Sequence, residues 1–220
     1  MTEIKELFDL DKTIAVSLFE GKTYPWEVLD EIGDFILKLG AQLPEDEYDH
    51  PAEGIWIAKD AEIFSSAYIG GPCIIDRGAE VRHCAFIREN AIVGKNAVVG
   101  NSTELKNVIL FDHVQVPHYN YVGDSILGYK AHMGAGSITS NVKSSYGDVA
   151  VREPGTVHET GRMKVGAMLG DYAEIGCNSV LNPGTVIGRH TNVYPTSCVR
   201  GVIPPCCIYK DKDHIVRKEL

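Results

Sequence analysis

Between Ile57 and Leu105 an aliphatic residue returns at every sixth position: Ile57, Ile63, Ile69, Ile75, Val81, Ile87, Val93, Val99 and Leu105. Four residues after each of the first eight stands a small side chain: Ala61, Ala67, Cys73, Ala79, Ala85, Ala91, Ala97 and Thr103. The pattern resumes at Leu169, Ile175, Leu181, Ile187, Val193 and Val199. Helices need apolar returns near 3.6 residues and amphipathic strands near 2, so a sustained period of six fits neither. It fits a solenoid in which each side of a coil sends one aliphatic residue inward and turns at a corner with room for a small one. Gly and Asn after the aliphatic position, as in Val93-Gly94-Lys95-Asn96, suit the positive φ of tight corners.

The spacing resembles the hexapeptide-repeat, left-handed β-helix proteins. The hand comes from that resemblance, because the usual crossover rule favours the other one. The fold expected is therefore mainly β: a single-stranded left-handed parallel β-helix over residues 51–220, with a helical cap over 1–50 and an inserted β-hairpin arm over 141–164. In the cap, Trp26, Val28, Leu29, Ile32, Phe35, Ile36 and Leu39 share one face of a helix opened by Pro25 and ended by Gly40 and Pro44. Such helices are expected to cover the open end of the solenoid. In the arm, Val149-Ala150-Val151 and a Glu153-Pro154-Gly155-Thr156 turn read as a hairpin. An insertion of this length marks the functional face, and its basic residues point to an anionic ligand or a neighbouring subunit. Steps of five residues from Leu105 to Leu110 and from Val122 to Leu127 vary the period without ending it.

A net charge of −9 over 220 residues argues against nucleic acid as a partner. No apolar run approaches the roughly 20 residues of a membrane span, and the N-terminus lacks the basic and apolar regions of a signal peptide. Six cysteines without a C-x-x-C pair read as reduced thiols of a cytoplasmic protein.

The hexad grammar breaks most sharply at Val116-Pro117-His118-Tyr119-Asn120-Tyr121-Val122-Gly123-Asp124, where a histidine and two tyrosines occupy outer positions. Histidine is suited to general-base work near neutral pH. This stretch, with Asn101-Ser102-Thr103-Glu104-Leu105-Lys106-Asn107, Gly134-Ala135-Gly136-Ser137-Ile138-Thr139-Ser140-Asn141 and Thr160-Gly161-Arg162-Met163-Lys164-Val165-Gly166-Ala167, resembles the acetyltransferase domain of the bifunctional sugar-1-phosphate nucleotidylyltransferase/acetyltransferases. It is similar to the bacterial enzyme that makes UDP-N-acetylglucosamine and more closely to its archaeal counterparts.

The resemblance implies an acetyl-CoA-dependent N-acetyltransferase acting on an amino-sugar 1-phosphate, with acetyl-CoA as acyl donor, no metal and a homotrimeric assembly. His118 falls on the family's catalytic base, Tyr121 on its partner and Asn141 on the asparagine that positions the substrate. Arg88 and Lys106 fall on the cations that hold the sugar phosphate, and His132 on a substrate-contacting asparagine of the bacterial enzymes. Ala135, Cys177 and Pro195 fall on positions that touch coenzyme A. Lys164, Arg200 and Lys210 supply charge for its phosphates.

Departures are as specific. The lysines that follow the asparagine motif in relatives fall near Gly147 and Ala150, which leaves Lys143 or Lys164 as the substitute. Cys177 stands where the bacterial enzymes have serine. The glycine-rich nucleotide loop of the family's other half, L-A-A-G-x-G-x-R, has no counterpart, although Tyr24-Pro25-Trp26-Glu27-Val28-Leu29 resembles the join between the halves. The expectation is a transferase without the pyrophosphorylase core. Two other readings stay open at this point: a non-catalytic trimeric sugar-phosphate or CoA-binding protein, and a metal hydratase of the γ-carbonic anhydrase kind built on His83, His113 and His118.

Overall fold

A computed structural model describes residues 1–219. The hexads wind a three-sided parallel β-helix, and each aliphatic column becomes the lining of one side. Ile75, Val93, Leu110, Leu127, Leu169 and Ile187 line the first face; Val81, Val99, Val116, Met133, Ile175 and Val193 line the second; Ile87, Leu105, Val122, Thr139, Leu181 and Val199 line the third. None is more than 3% exposed. Parallel pairing stacks each column coil on coil, as in Glu80↔Val98↔Gln115↔His132↔Glu174↔Asn192 on the second face.

The corners explain the small and turn-prone residues. At the edge between the second and third faces, Cys84, Ser102, Tyr119, Gly136, Asn178 and Thr196 all have φ between +51° and +71°. That left-handed conformation favours Gly and Asn, and the other side chains adopt it at a cost of about 1–2 kcal/mol each. At the edge between the third and first faces the two five-residue steps let strands Glu104–Leu110 and Tyr121–Leu127 run on through the corner. Strand Phe86–Val93 keeps one more residue there, and the register slips between Ile87 and Glu89, with Arg88 in the bulge.

The first face differs from the others because its outward residues are also aliphatic. Ile74, Ile92, Ile109, Ile126 and Val186 are fully buried, and Met168 is 1% exposed. The arm strand Val149–Glu153 packs on Thr185–Ile187, and residues 1–47 cover the earlier coils of the row. This corrects the expected end cap: the segment lies lengthwise along the first face. Its helix Ile32–Gly40 packs on strands Cys73–Ile75, Phe86–Val93 and Glu104–Leu110. The helix ends in glycine because a Cβ on Gly40 would meet the Trp56 ring at 2.3 Å. Further along, Phe8 and Phe19 pack against Phe111, the latter edge-on, and the Leu7 carbonyl accepts from the Asp171 amide at 3.0 Å and from Arg189 Nε at 3.0 Å. The single helix expected from Pro25 to Gly40 is two pieces, a 3-10 turn Pro25–Val28 and the helix Ile32–Gly40. Strand Tyr48–Ala52 pairs antiparallel with Ile55–Ala58 and covers the N-terminal edge of the first face, and His214–Arg217 does the same for the last strand of the second.

The arm is the expected hairpin, Val149–Glu153 with Thr156–Arg162. Its apolar side serves its own chain: Val149 and Val151 are fully buried beside strands Thr185–Ile187 and Val202–Ile203. Its return strand joins the N-terminal segment. His158 lies against the stacked rings of Tyr24 and Trp26, and Arg162 pairs with Asp30 and donates to the Glu27 carbonyl. Among the described residues no helix is long and apolar enough to cross a membrane.

Candidate active site

The third face and its two edges carry most of the residues singled out in the sequence. At the edge with the second face, His118 ends strand Gln115–His118 with its imidazole exposed and without a hydrogen-bond partner among the described residues. Its corner is held from below. Buried Asn120 accepts the His118 amide at 3.1 Å and donates to the carbonyls of Gly134 at 2.9 Å and Ser137 at 3.0 Å.

The same edge carries the candidate coenzyme A contacts. The His118 carbonyl accepts from the Gly136 amide at 3.0 Å, that of Ala135 from Asn178 at 2.8 Å, and that of Cys177 from Thr196 at 2.8 Å. His118, Ala135, Cys177 and Pro195 are therefore successive steps of one column. Three coil spacings of about 4.8 Å make roughly 14 Å of edge. The column runs into a hollow of about 580 Å³ lined by Pro195, Arg200, Lys210, Lys212 and Tyr209. Lys210 lies 5.8 Å over the Tyr194 ring beside it.

Across the third face, Tyr121 Oη accepts from Asn141 Nδ2 at 3.2 Å. Burial, then the carboxylates of Asp124 and Glu104, raise the Tyr121 phenol above its ordinary value. Asn141 also donates to Asp124 Oδ2 at 2.5 Å, while Asp124 Oδ1 accepts from Lys106 Nζ at 3.2 Å and Asn107 Nδ2 at 3.0 Å. Arg88, thrown outward by its bulge, donates to Glu104 at 3.1 Å, and that bond raises its guanidinium further above the ordinary value.

Thr139 and Ser125 show why this corner holds its shape where the arm departs. The Thr139 hydroxyl, in an aliphatic slot, accepts the Gly123 amide at 2.9 Å, and Ser125 Oγ accepts the Ala167 amide at 2.9 Å. They replace strand partners that the insertion removes.

The structure separates other expected partners. Lys164 does not join Arg200 and Lys210. The arm returns it opposite Val142, in an isolated antiparallel bridge beside Asn141, and it lines a hollow of about 440 Å³ with Lys106, Asn107, Asp124 and Arg162. His132 lies on the second face in the row of Glu174, with which it pairs at 2.9 Å, three residues along the strand from the His118 column. His113 and His118 stand at opposite edges of that face, and no cluster able to hold a metal occurs among the described residues. Sequence reading assigned no role to Asp124, Glu104 or Asn120. The signal for the first was its place two residues after Val122, where an outer side chain turns back at a corner.

A parallel β-helix with one general-base candidate on an edge and a polar cluster on the adjoining face defines a hexad-repeat protein with a site built on its corners. Residues 69–204 match the GMPPB C-terminal domain, and the chain belongs to that family. The bifunctional sugar-1-phosphate nucleotidylyltransferase/acetyltransferase of Sulfurisphaera tokodaii is 29% identical over 90% of this chain and 51% of its own length. The bifunctional protein GlmU of Methanococcus maripaludis is 32% identical over 97% of this chain and 53% of its own. The chain thus spans about half the length of the curated relatives it matches. A hexapeptide transferase family protein from Anaplasma phagocytophilum is 15% identical, covering 76% of this chain and 80% of that one with a TM-score of 0.42.

Proposed function

We propose that this chain is an acetyl-CoA-dependent N-acetyltransferase whose acceptor is an amino-sugar 1-phosphate, working as a homotrimer in the cytoplasm. The observation that carries the reading is the shared edge. His118 heads a column of Ala135, Cys177 and Pro195 that leads to a cationic hollow, and it borders the face holding Tyr121 and Asn141. A thioester at the head of that column meets an amine resting on the third face. His118 takes the proton as the nitrogen bonds to the acetyl carbon, the carbon–sulfur bond breaks, and the thiolate of coenzyme A leaves. Positioning supplies the rest of the rate.

Lys164 then belongs at the sugar phosphate rather than at coenzyme A. It stands beside Asn141 and takes the place of the lysines missing near Gly147 and Ala150. Arg200 and Lys210 remain for the phosphates of coenzyme A, and His132 lies outside the acceptor site. The exposed His118 edge is half of a groove, and a second copy of the chain closes it. The names of the relatives support the chemistry.

One observation favours binding without turnover: Arg88 and Lys106 are already paired with Glu104 and Asp124. Thiol release from acetyl-CoA, measured against a panel of amino-sugar phosphates, tests both readings. Release that falls about 10²–10⁴-fold in His118→Ala establishes the transferase. Binding of both ligands without release establishes the other.

A further inference from the structure

Asp124 is a carboxylate whose side chain is 5% exposed, at the rim of the proposed acceptor site. It takes three N–H donors, two on Oδ1 from Lys106 and Asn107 and one on Oδ2 from Asn141. An ionised carboxylate only accepts, so the NH₂ of Asn141 is the end that faces it. The other hydrogen of that NH₂ goes to Tyr121 Oη. Both amide hydrogens are spent. What remains for a ligand is the Asn141 carbonyl oxygen, an acceptor, and the Tyr121 hydrogen, a donor.

Gly123 belongs to the same device. A Cβ there would meet Tyr121 Oη at 2.5 Å and Asn141 Nδ2 at 3.0 Å, so any side chain would push the pair apart.

We infer that Asp124 is a positioning residue that sets the polarity of the Tyr121–Asn141 pair, so that the acceptor group of the sugar, a ring hydroxyl or a primary amine, must donate to Asn141 and accept from Tyr121. The inference rests on the proposed acceptor site. A deoxy analogue at that group leaves both partners unmatched and an O-methyl analogue leaves one, and such sites reject analogues strongly.

Asp124→Asn tests it. The variant's single carbonyl is claimed by Lys106 and Asn107, so its NH₂ faces Asn141 and forces that amide to turn its carbonyl inward. The outward polarity is reversed: the Asn141 NH₂ faces the open side, and the Tyr121 hydroxyl turns its hydrogen to the Asn141 carbonyl and leaves only its oxygen outward. Asn141→Asp alone sets two carboxylates face to face. The double variant Asp124→Asn/Asn141→Asp restores one internal hydrogen bond and returns an oxygen to the open side, while the Tyr121 hydroxyl now donates to the carboxylate introduced at position 141.

The expected result is a rise in KM for glucosamine 1-phosphate of about tenfold or more in Asp124→Asn, with KM for acetyl-CoA changed less than about twofold. The double variant is expected to recover part of that loss and to bind better than either single variant, a non-additive outcome that marks direct coupling. A purely structural Asp124 gives no such split, and the double variant is then no better than the two singles combined. Either result overturns the inference.

If the wild type releases no thiol, the proposed reaction fails, and the same variants are compared by calorimetric titration with glucosamine 1-phosphate. Recovery of binding in the double variant supports the polarity. Absence of that recovery, or a wild type that does not bind, overturns it.

Discussion

Asn141 donates to Tyr121 Oη at 3.2 Å, joining side chains twenty residues apart in sequence that share the third face. The pairing leaves the Tyr121 hydrogen free for a ligand. Tyr121→Phe is therefore expected to lower kcat/KM for the amino-sugar substrate by about 10–100-fold, the loss of one hydrogen bond of roughly 1.5–3 kcal/mol. The KM for acetyl-CoA and the unfolding midpoint should change little.

Alkaline pH should weaken the fold. Burial, then the bond to Asp76 at 2.6 Å, raises the Tyr48 phenol, and burial does the same for Tyr121 and Tyr209. The folded state thus keeps these protons to higher pH than the unfolded chain. The stability they contribute is fully present below the ordinary tyrosine value of about 10 and is lost as pH rises through the folded values. Thermal melting between pH 8 and 11.5 should show a midpoint that declines above about pH 10. A Tyr48→Phe protein should decline less steeply.

The cysteines should divide by burial. Cys73 is fully buried, and burial pushes its thiol up to about 12, while Cys84, Cys177 and Cys198 are exposed. Alkylation of the native protein followed by peptide mapping should label the exposed three and spare Cys73. Coenzyme A should protect Cys177 and leave Cys84 labelled, since Cys84 lies on the same edge four coils before Cys177. Equal labelling of Cys177 with and without coenzyme A would remove the groove from where it is drawn.

The outward aliphatic row of the first face predicts a stability effect remote from the site. Ile92 and Ile109 are fully buried beneath the helix Ile32–Gly40. Replacing either by Ala should cost about 2–5 kcal/mol in urea unfolding. Ligand affinities at the third face should remain within about twofold, because distant sites act independently.

Light scattering at micromolar concentration should give three chains per particle. A monomer would leave the His118 edge open and argue against the assembled groove.

The six-residue period determined the three columns, the corners and the strand register, because each coil touches chiefly the coils next to it and the same local rule repeats. The five-residue steps appear as continuous strands through one corner, and the longer coil before them as the bulge that aims Arg88. His118, Ala135, Cys177 and Pro195 were legible as positions two residues beyond the inner column, so their alignment follows from counting. The place of residues 1–47 had a signal in the doubled aliphatics Ile74-Ile75, Ile92-Val93, Ile109-Leu110 and Ile126-Leu127, a sign of strands buried on both sides. Period alone does not say which segment covers the second side.

Only the tertiary structure decided how the arm lies, that Lys164 returns to Asn141 instead of joining Lys210, and that Asp124 gathers Lys106, Asn107 and Asn141. Those contacts join side chains from different coils, and Lys164 arrives from an insertion outside the repeat. They depend on where long stretches of chain come to rest, and a pattern of near neighbours does not record that.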